Sequence, residues 1–222
     1  MPMAPRRRSA TDAVHHPVFA RYYARFAPAV DERAGIGAHR AELLAGLSGR
    51  VVEVGAGSGL NFGRYPAAVR EVVAVEPEPL LRRVARDAAA RAAVPVRVVP
   101  GVAEELPLDG EAFDAAVVSL VLCSVRDPDR ALAEIRRVLR PGGRLCFYEH
   151  VRADGTTMAL VQRSLDRTVW PRLFGGCHTA RDTVAAIGAA GFTELSLRRL
   201  RVPEKGAPTP VSAHVLGGAR RP

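Results

Sequence analysis

The chain has 222 residues, 48% of them hydrophobic, and a formal charge of +9. That length and apolar content suit one folded domain with a full core and exclude a disordered chain; no apolar run approaches the ~20 residues that a bilayer span needs. The basic excess gives little support to a nucleic-acid partner, because the arginines are scattered (Arg82-Arg83, Arg136-Arg137, Arg198-Arg199) and Lys205 is the only lysine.

In chain order, residues 1–14 read as a disordered basic tail, with Arg6-Arg7-Arg8 and no apolar signal core behind them. Residues 15–222 read as a single domain, with 15–49 as a helical cap and 50–222 as the core. In the cap, Val18, Phe19, Tyr22, Tyr23 and Phe26 recur at helical spacing up to a break at Pro28, and a second helix runs Ile36–Leu47. Strands are expected at Arg50–Val54, Val72–Val75, Val96–Val99, Ala115–Ser119 and Arg144–Tyr148. Helices are expected just after Gly59 and at Pro79–Ala93 and Pro128–Leu139, and Arg140–Gly143 reads as a turn. A helical stretch at Thr156–Leu173 and a helix at Ala180–Ala190 follow, then two strands at Glu194–Arg201 and Ser212–Leu216. Apolar strands separated by helices imply a mostly parallel α/β sheet of seven strands, covered on both faces, with an antiparallel last strand.

The first strand runs straight into Gly55-Ala56-Gly57-Ser58-Gly59, where a side chain would collide with a ligand lying on the backbone. Glu76 ends the second strand, where an acid accepts ribose hydroxyl hydrogens in nucleotide-binding βαβ units. The glycine spacing is G-x-G-x-G, with Leu60 at the third position of the dinucleotide fingerprint, which disfavours a nicotinamide cofactor. Glu53, inside the apolar strand, would repel a pyrophosphate and suit a cationic ligand. In such sheets ligands sit beyond the strand C-termini. That edge gathers Gly55, Ala56, Gly57, Gly59, Glu76, Pro77, Ala103, Glu104, Ser119 and Leu120. Cys123, Cys146 and Cys177 show neither a disulfide framework nor metal-ligand spacing, so a reducing cytoplasm and no metal are expected.

The pattern E-x-G-x-G-x-G, with Ala103-Glu104-Glu105-Leu106-Pro107, Phe113-Asp114 and Val138-Leu139-Arg140-Pro141-Gly142-Gly143, resembles the class I S-adenosylmethionine (SAM) methyltransferases of the UbiE/methyltransferase type 11 group. Asn61-Phe62 with Tyr65-Pro66, Leu120 to Val125, Glu149-His150-Val151, Leu173-Phe174-x-Gly-Cys177 and the tail around Ala213-His214-Val215 are similar to the methyltransferase-like family that includes alkyl-thiol methyltransferases.

The resemblance implies a Rossmann-like fold, SAM as cofactor with S-adenosylhomocysteine as product, and a small, largely apolar acceptor. A thiol is favoured over an oxygen, nitrogen or carbon acceptor; a catalytically silent SAM-binding scaffold is the rival. It places Tyr23 and Asn61 with the cofactor, alongside Glu53 and Glu76. The loop after the third strand carries Val102-Ala103 where many relatives have Asp-Ala, leaving adenine to the Ala103 backbone and Glu104. Candidate proton acceptors are His150 and Asp166. Phe19, Trp170, Leu173, Phe174 and Cys177 are candidate walls of an acceptor pocket.

Overall fold

The structure, a computed structural model, describes residues 14–222. The expected basic tail therefore lies outside the described residues up to position 13. Two helices open the described chain, α1 (Pro17–Arg33) and α2 (Ile36–Leu44), before strand β1 (Gly49–Val54). The remaining strands are β2 (Val69–Val75), β3 (Val96–Val99), β4 (Phe113–Ser119), β5 (Leu139–His150), β6 (Thr193–Arg201) and β7 (Ala213–Arg220). The remaining helices are α3 (Pro79–Ala89), α4 (Pro128–Val138), α5 (Thr156–Arg167), α6 (Trp170–Leu173) and α7 (Thr183–Ala189).

The seven strands form one sheet in the order β3-β2-β1-β4-β5-β7-β6. Neighbours from β3 to β5 pair in parallel, and β7 runs antiparallel to both β5 and β6. This is the expected sheet with its reversed last strand. Strand order reverses between β1 and β4, which opens a crevice at their C-terminal ends.

Alternation along β1 sorts its side chains onto two faces. Val52 and Val54 join a core with Leu132, Ile135 and Val138 of α4 and Ile187 of α7. Val51 joins a second core with Leu43 and Leu44 of α2 and Ala85 of α3. Glu53 falls on this second face, an acid at an apolar position.

Four local expectations need correction. Helix α1 continues through Pro28; that residue is exposed, so water can take the carbonyl that loses its donor. The expected turn at Arg140–Gly143 lies within β5, where the register with β4 jumps from Phe113↔Leu139 to Ala115↔Arg144. Those residues bulge out and bond the chain end instead, Gly142 N–H to Arg221 C=O at 2.8 Å and Arg221 N–H to Gly143 C=O at 2.9 Å. The stretch from Thr156 to Leu173 breaks at Thr168 (φ −117°, ψ −97°) into α5 and α6. After Gly59 the chain makes turns and one 3₁₀ turn, Phe62–Arg64, rather than an α-helix.

Candidate active site

A cleft of about 990 Å³, open to solvent, lies at the switch point. Gly55, Gly57, Glu76, Pro77, Ala103, Glu104, Ser119, Leu120 and Tyr23 line it, as expected, together with Val14, His16, Glu78 and Val102. Gly55 has φ +69°, and a Cβ there would stand 2.6 Å from a Val121 methyl, so a side chain is excluded both by conformation and by space. Leu120 takes φ +61° at the end of β4 without being glycine, a strained conformation at the mouth of the cleft.

Glu76 holds the glycine turn. Its Oε2 accepts the Gly57 N–H at 2.7 Å and its Oε1 accepts the Glu78 N–H at 2.9 Å. Each oxygen keeps a further lone pair for a hydroxyl donor. Burial pushes this carboxyl up to about 7. Glu78, unremarked in the sequence, accepts from the His16 N–H at 3.0 Å and lies 3.0 Å from His15 Nδ1. The segment before α1 is thereby pinned against the cleft, and Val14, assigned to the tail, is part of its wall.

Beneath the floor runs a buried polar network. Glu53 Oε1 accepts from Asn61 Nδ2 at 2.9 Å and Oε2 from the Tyr65 hydroxyl at 2.7 Å. Burial raises its carboxyl to about 7 as well. Asn61 Oδ1 accepts from Arg40 Nη1 at 3.2 Å, and the same nitrogen donates to Ser119 Oγ at 2.9 Å. Arg40 is 3% exposed and pairs with Asp31 at 2.6 Å. Glu53 and Asn61 therefore brace the floor from below and are not on the cleft lining. Ala56 and Gly59 are likewise off the lining; a Cβ on Gly59 would meet the Phe62 ring at 2.7 Å, so that glycine serves packing.

A second cavity, about 1190 Å³ and also open, adjoins the first. The two share Phe19, Tyr23, Leu120 and Ser124 in their walls. Trp170 and Phe174 stack at 4.0 Å between centroids on one side of it. Cys177 and His150 line it as expected, with Arg40, Cys123 and His214 in addition. His214 Nδ1 lies 3.1 Å from the Ser212 carbonyl, while its buried Nε2 has no partner among the described residues. Burial depresses this imidazole to about 3, which keeps it neutral.

Cys123, His150 and Cys177 come together in this second wall. His150 Nδ1 is 3.8 Å from Cys123 Sγ and 3.7 Å from Cys177 Sγ. A buried carboxylate fixes the first cysteine: Glu149 accepts the N–H groups of Val121, Leu122 and Cys123 at 2.9, 3.0 and 3.2 Å. The second is docked on the first by the His178 N–H, which donates to the Cys123 carbonyl at 2.7 Å. Gly176, at φ +86°, allows this approach; a Cβ there would lie 2.9 Å from the Ser124 carbonyl oxygen. The Cys123 thiol and His150 stabilise the Cys177 thiolate and hold its titration well below the ordinary thiol range, while Cys123 keeps its proton. The spacing of the cysteines in sequence predicts no metal-ligand set; the fold assembles one set of three such donors among the described residues.

Two residues expected on the acceptor side are absent from its wall. Asp166 lines neither cavity: its carboxylate accepts the Thr179 and Ala180 N–H groups at 2.7 and 2.9 Å and the Thr179 hydroxyl at 3.0 Å, tying α5 to the following loop. Leu173 is 64% exposed and also lines neither.

Residues 52–147 match a family model described as a methyltransferase domain. The chain is 35% identical over 181 residues to human thiol S-methyltransferase TMT1B, covering 79% of this chain and 73% of that protein. It is 36% identical to human thiol S-methyltransferase TMT1A over 168 residues, covering 72% and 67%. A solved SAM-dependent methyltransferase from Thermotoga maritima superposes with a TM-score of 0.65 at 23% identity, over 92% of this chain and all of that one. Fold, glycine cleft and these likenesses together define a class I SAM-dependent methyltransferase. Within that class the chain belongs to the family that contains the two human proteins. Its cofactor is SAM, and the cleft fits it: glycine backbone where a Cβ would intrude, and a buried acid free to accept hydroxyl hydrogens. Among the described residues, no helix is long and apolar enough to cross a membrane.

Proposed function

We propose that the chain methylates the sulfur of a small, largely apolar thiol. The observation that carries this reading is the second cavity, with its aromatic and aliphatic walls, meeting the cofactor cleft at Leu120 and Ser124. The name of the human relatives, thiol S-methyltransferase, points the same way.

When bound, SAM supplies an electrophilic methyl on a cationic sulfur. Gly55, Gly57 and Glu76 would hold its nucleoside, with Ala103 and Glu104 toward the adenine. Tyr23 and Ser119, backed by Arg40, would hold its amino-acid end. Ionised Glu53 under the floor favours a cation above it. Phe19, Trp170 and Phe174 bury the acceptor and exclude water, leaving its reactive atom at the junction of the two cavities. Orientation of this kind supplies ~7–11 kcal/mol in the best model systems. A free thiol of pKa ~8.5 is already a few per cent ionised near neutral pH, so sulfur needs less proton removal than oxygen. His150 borders the acceptor cavity, facing Cys123 and Cys177.

The test is turnover of purified protein with SAM and matched alkyl thiols, alcohols, phenols and amines. Methylation of the thiol above the others is expected. Turnover of phenols or amines without thiols overturns the acceptor assignment, and SAM binding with no acceptor methylated marks a silent scaffold.

A further inference from the structure

Three soft or borderline donors converge on one point of the acceptor wall, and their spacing is that of a coordination sphere. A tetrahedral zinc ion with Zn–S of ~2.3 Å and Zn–N of ~2.0–2.1 Å sets its sulfur and nitrogen ligands about 3.6 Å apart. Here the two S···N separations are 3.8 and 3.7 Å, and all three donor atoms lie within 4.8 Å of one another. Loop drift does not explain this: the Glu149 carboxylate, the His178–Cys123 backbone bond and the Gly176 approach hold both cysteines in place. Three protein ligands with one side open is the arrangement of a catalytic rather than a structural zinc.

We propose that Cys123 Sγ, His150 Nδ1 and Cys177 Sγ bind one Zn²⁺, whose fourth position faces the acceptor cavity and receives the acceptor sulfur. The fourth-ligand role rests on the thiol reading above; the ion site does not. Both cysteines bind as thiolates, any proton still carried passing to solvent, and coordination of the acceptor releases its S–H proton in the same way. A lone pair of the acceptor sulfur then forms the new C–S bond. The methyl–sulfonium bond breaks, and its electron pair stays on the departing sulfur. The neutral thioether is a poorer ligand than a thiolate and leaves. The cluster borders the place where this must happen: Cys123 Sγ is 3.5 Å from the hydroxyl of Ser124, which lines both cavities.

The full chain, reduced and stripped with a chelator, is titrated with Co²⁺ as a spectroscopic stand-in for Zn²⁺. One equivalent should bind, with thiolate-to-cobalt charge-transfer bands and the visible bands of a tetrahedral ion, and one equivalent of Zn²⁺ should displace it. Cys146→Ser should leave the spectrum unchanged, whereas Cys123→Ser and Cys177→Ser should each reduce the charge-transfer bands. Should those variants fold poorly, wild-type protein still decides: Zn²⁺ should protect Cys123 and Cys177, and not Cys146, from alkylation. Absence of a stoichiometric cobalt complex, or cobalt bound without thiolate bands, overturns the site. Stripping should lower thiol turnover near neutral pH by about tenfold or more, since an unligated thiol is only a few per cent ionised there. Full thiol turnover by stripped protein overturns the fourth-ligand role and leaves S-methylation standing; bound metal with no thiol turnover leaves the ion site and removes S-methylation.

Discussion

On the cofactor side, residues 55–78 supply the glycine turn and the acid that holds it. A strand end, a glycine turn and a second strand end meet through bonds such as Gly57 N–H to Glu76 at 2.7 Å. On the acceptor side the wall comes from α1, the loop after β4, the end of β5, α6 with its loop, and the segment before β7. One half is backbone geometry written locally; the other is side chains delivered from remote parts of the chain. The first constrains the ligand by shape that glycine alone permits, the second by groups exchangeable without changing the chain path.

Arg40 joins the two halves, and its loss should have the largest effect. Arg40→Ala leaves Asp31 buried without its cation, costing ~3–5 kcal/mol of stability by urea denaturation. An unchanged midpoint would mean that the two sides are not braced together. Glu76→Ala should weaken SAM binding by about tenfold or more in calorimetry, through lost hydrogen bonds to a charged group, without altering Cys123 and Cys177 alkylation rates. The mirror-image change is Trp170→Ala. It should raise KM for apolar acceptors by several-fold, on the order of the ~0.5–1.5 kcal/mol that an aromatic pair contributes, with SAM affinity unchanged.

Protonation sharpens the contrast further. The Glu76 carboxyl titrates at about 7 in the ligand-free fold, and a cationic ligand favours its ionised form. SAM affinity should therefore rise as pH climbs through about 7 in wild type and rise less steeply in Glu76→Gln, where Glu53 alone of the two still titrates. Ligand-free stability should move the other way. Between the ordinary carboxylate range and about 7, the folded chain holds protons on Glu53 and Glu76 that the unfolded chain has released, so raising pH across that window destabilises it. The smallest effect on turnover is expected for Asp166→Asn: no change in kcat, with a stability loss of ~1–2 kcal/mol from weakened loop bonds. A large fall in kcat with normal stability would return Asp166 to the chemistry.

The cofactor half was legible from residues 51–59 and 72–77 because its signals are local: a valine run, glycines at alternate positions, an acid at the next strand end. The parallel strands were legible for the same reason, most of them being short apolar runs. The acceptor half was only partly legible. Phe19, His150, Trp170, Phe174 and Cys177 were readable as candidates from their residue types and expected places in the fold, but Cys123, His150 and Cys177 are too far apart in sequence to announce a cluster. Only the adjacency of β4 and β5, and the loop docked over them, reveals it. Arg40 was one arginine among many until the fold buried it. Asp166 misled because an acid on a helix over the site looks the same whether it faces the cavity or caps the next loop.

Glu149 carries a consequence for how such a site diversifies. One carboxylate on a neighbouring strand grips three successive amides, Val121 to Cys123, and so dictates the route of a loop it does not belong to. Because amides are common to almost every amino acid, the side chains along that loop are released from the task of shaping it. The chain path can stay put while the side chain at position 123, the one of the three that lines the second cavity, is changed.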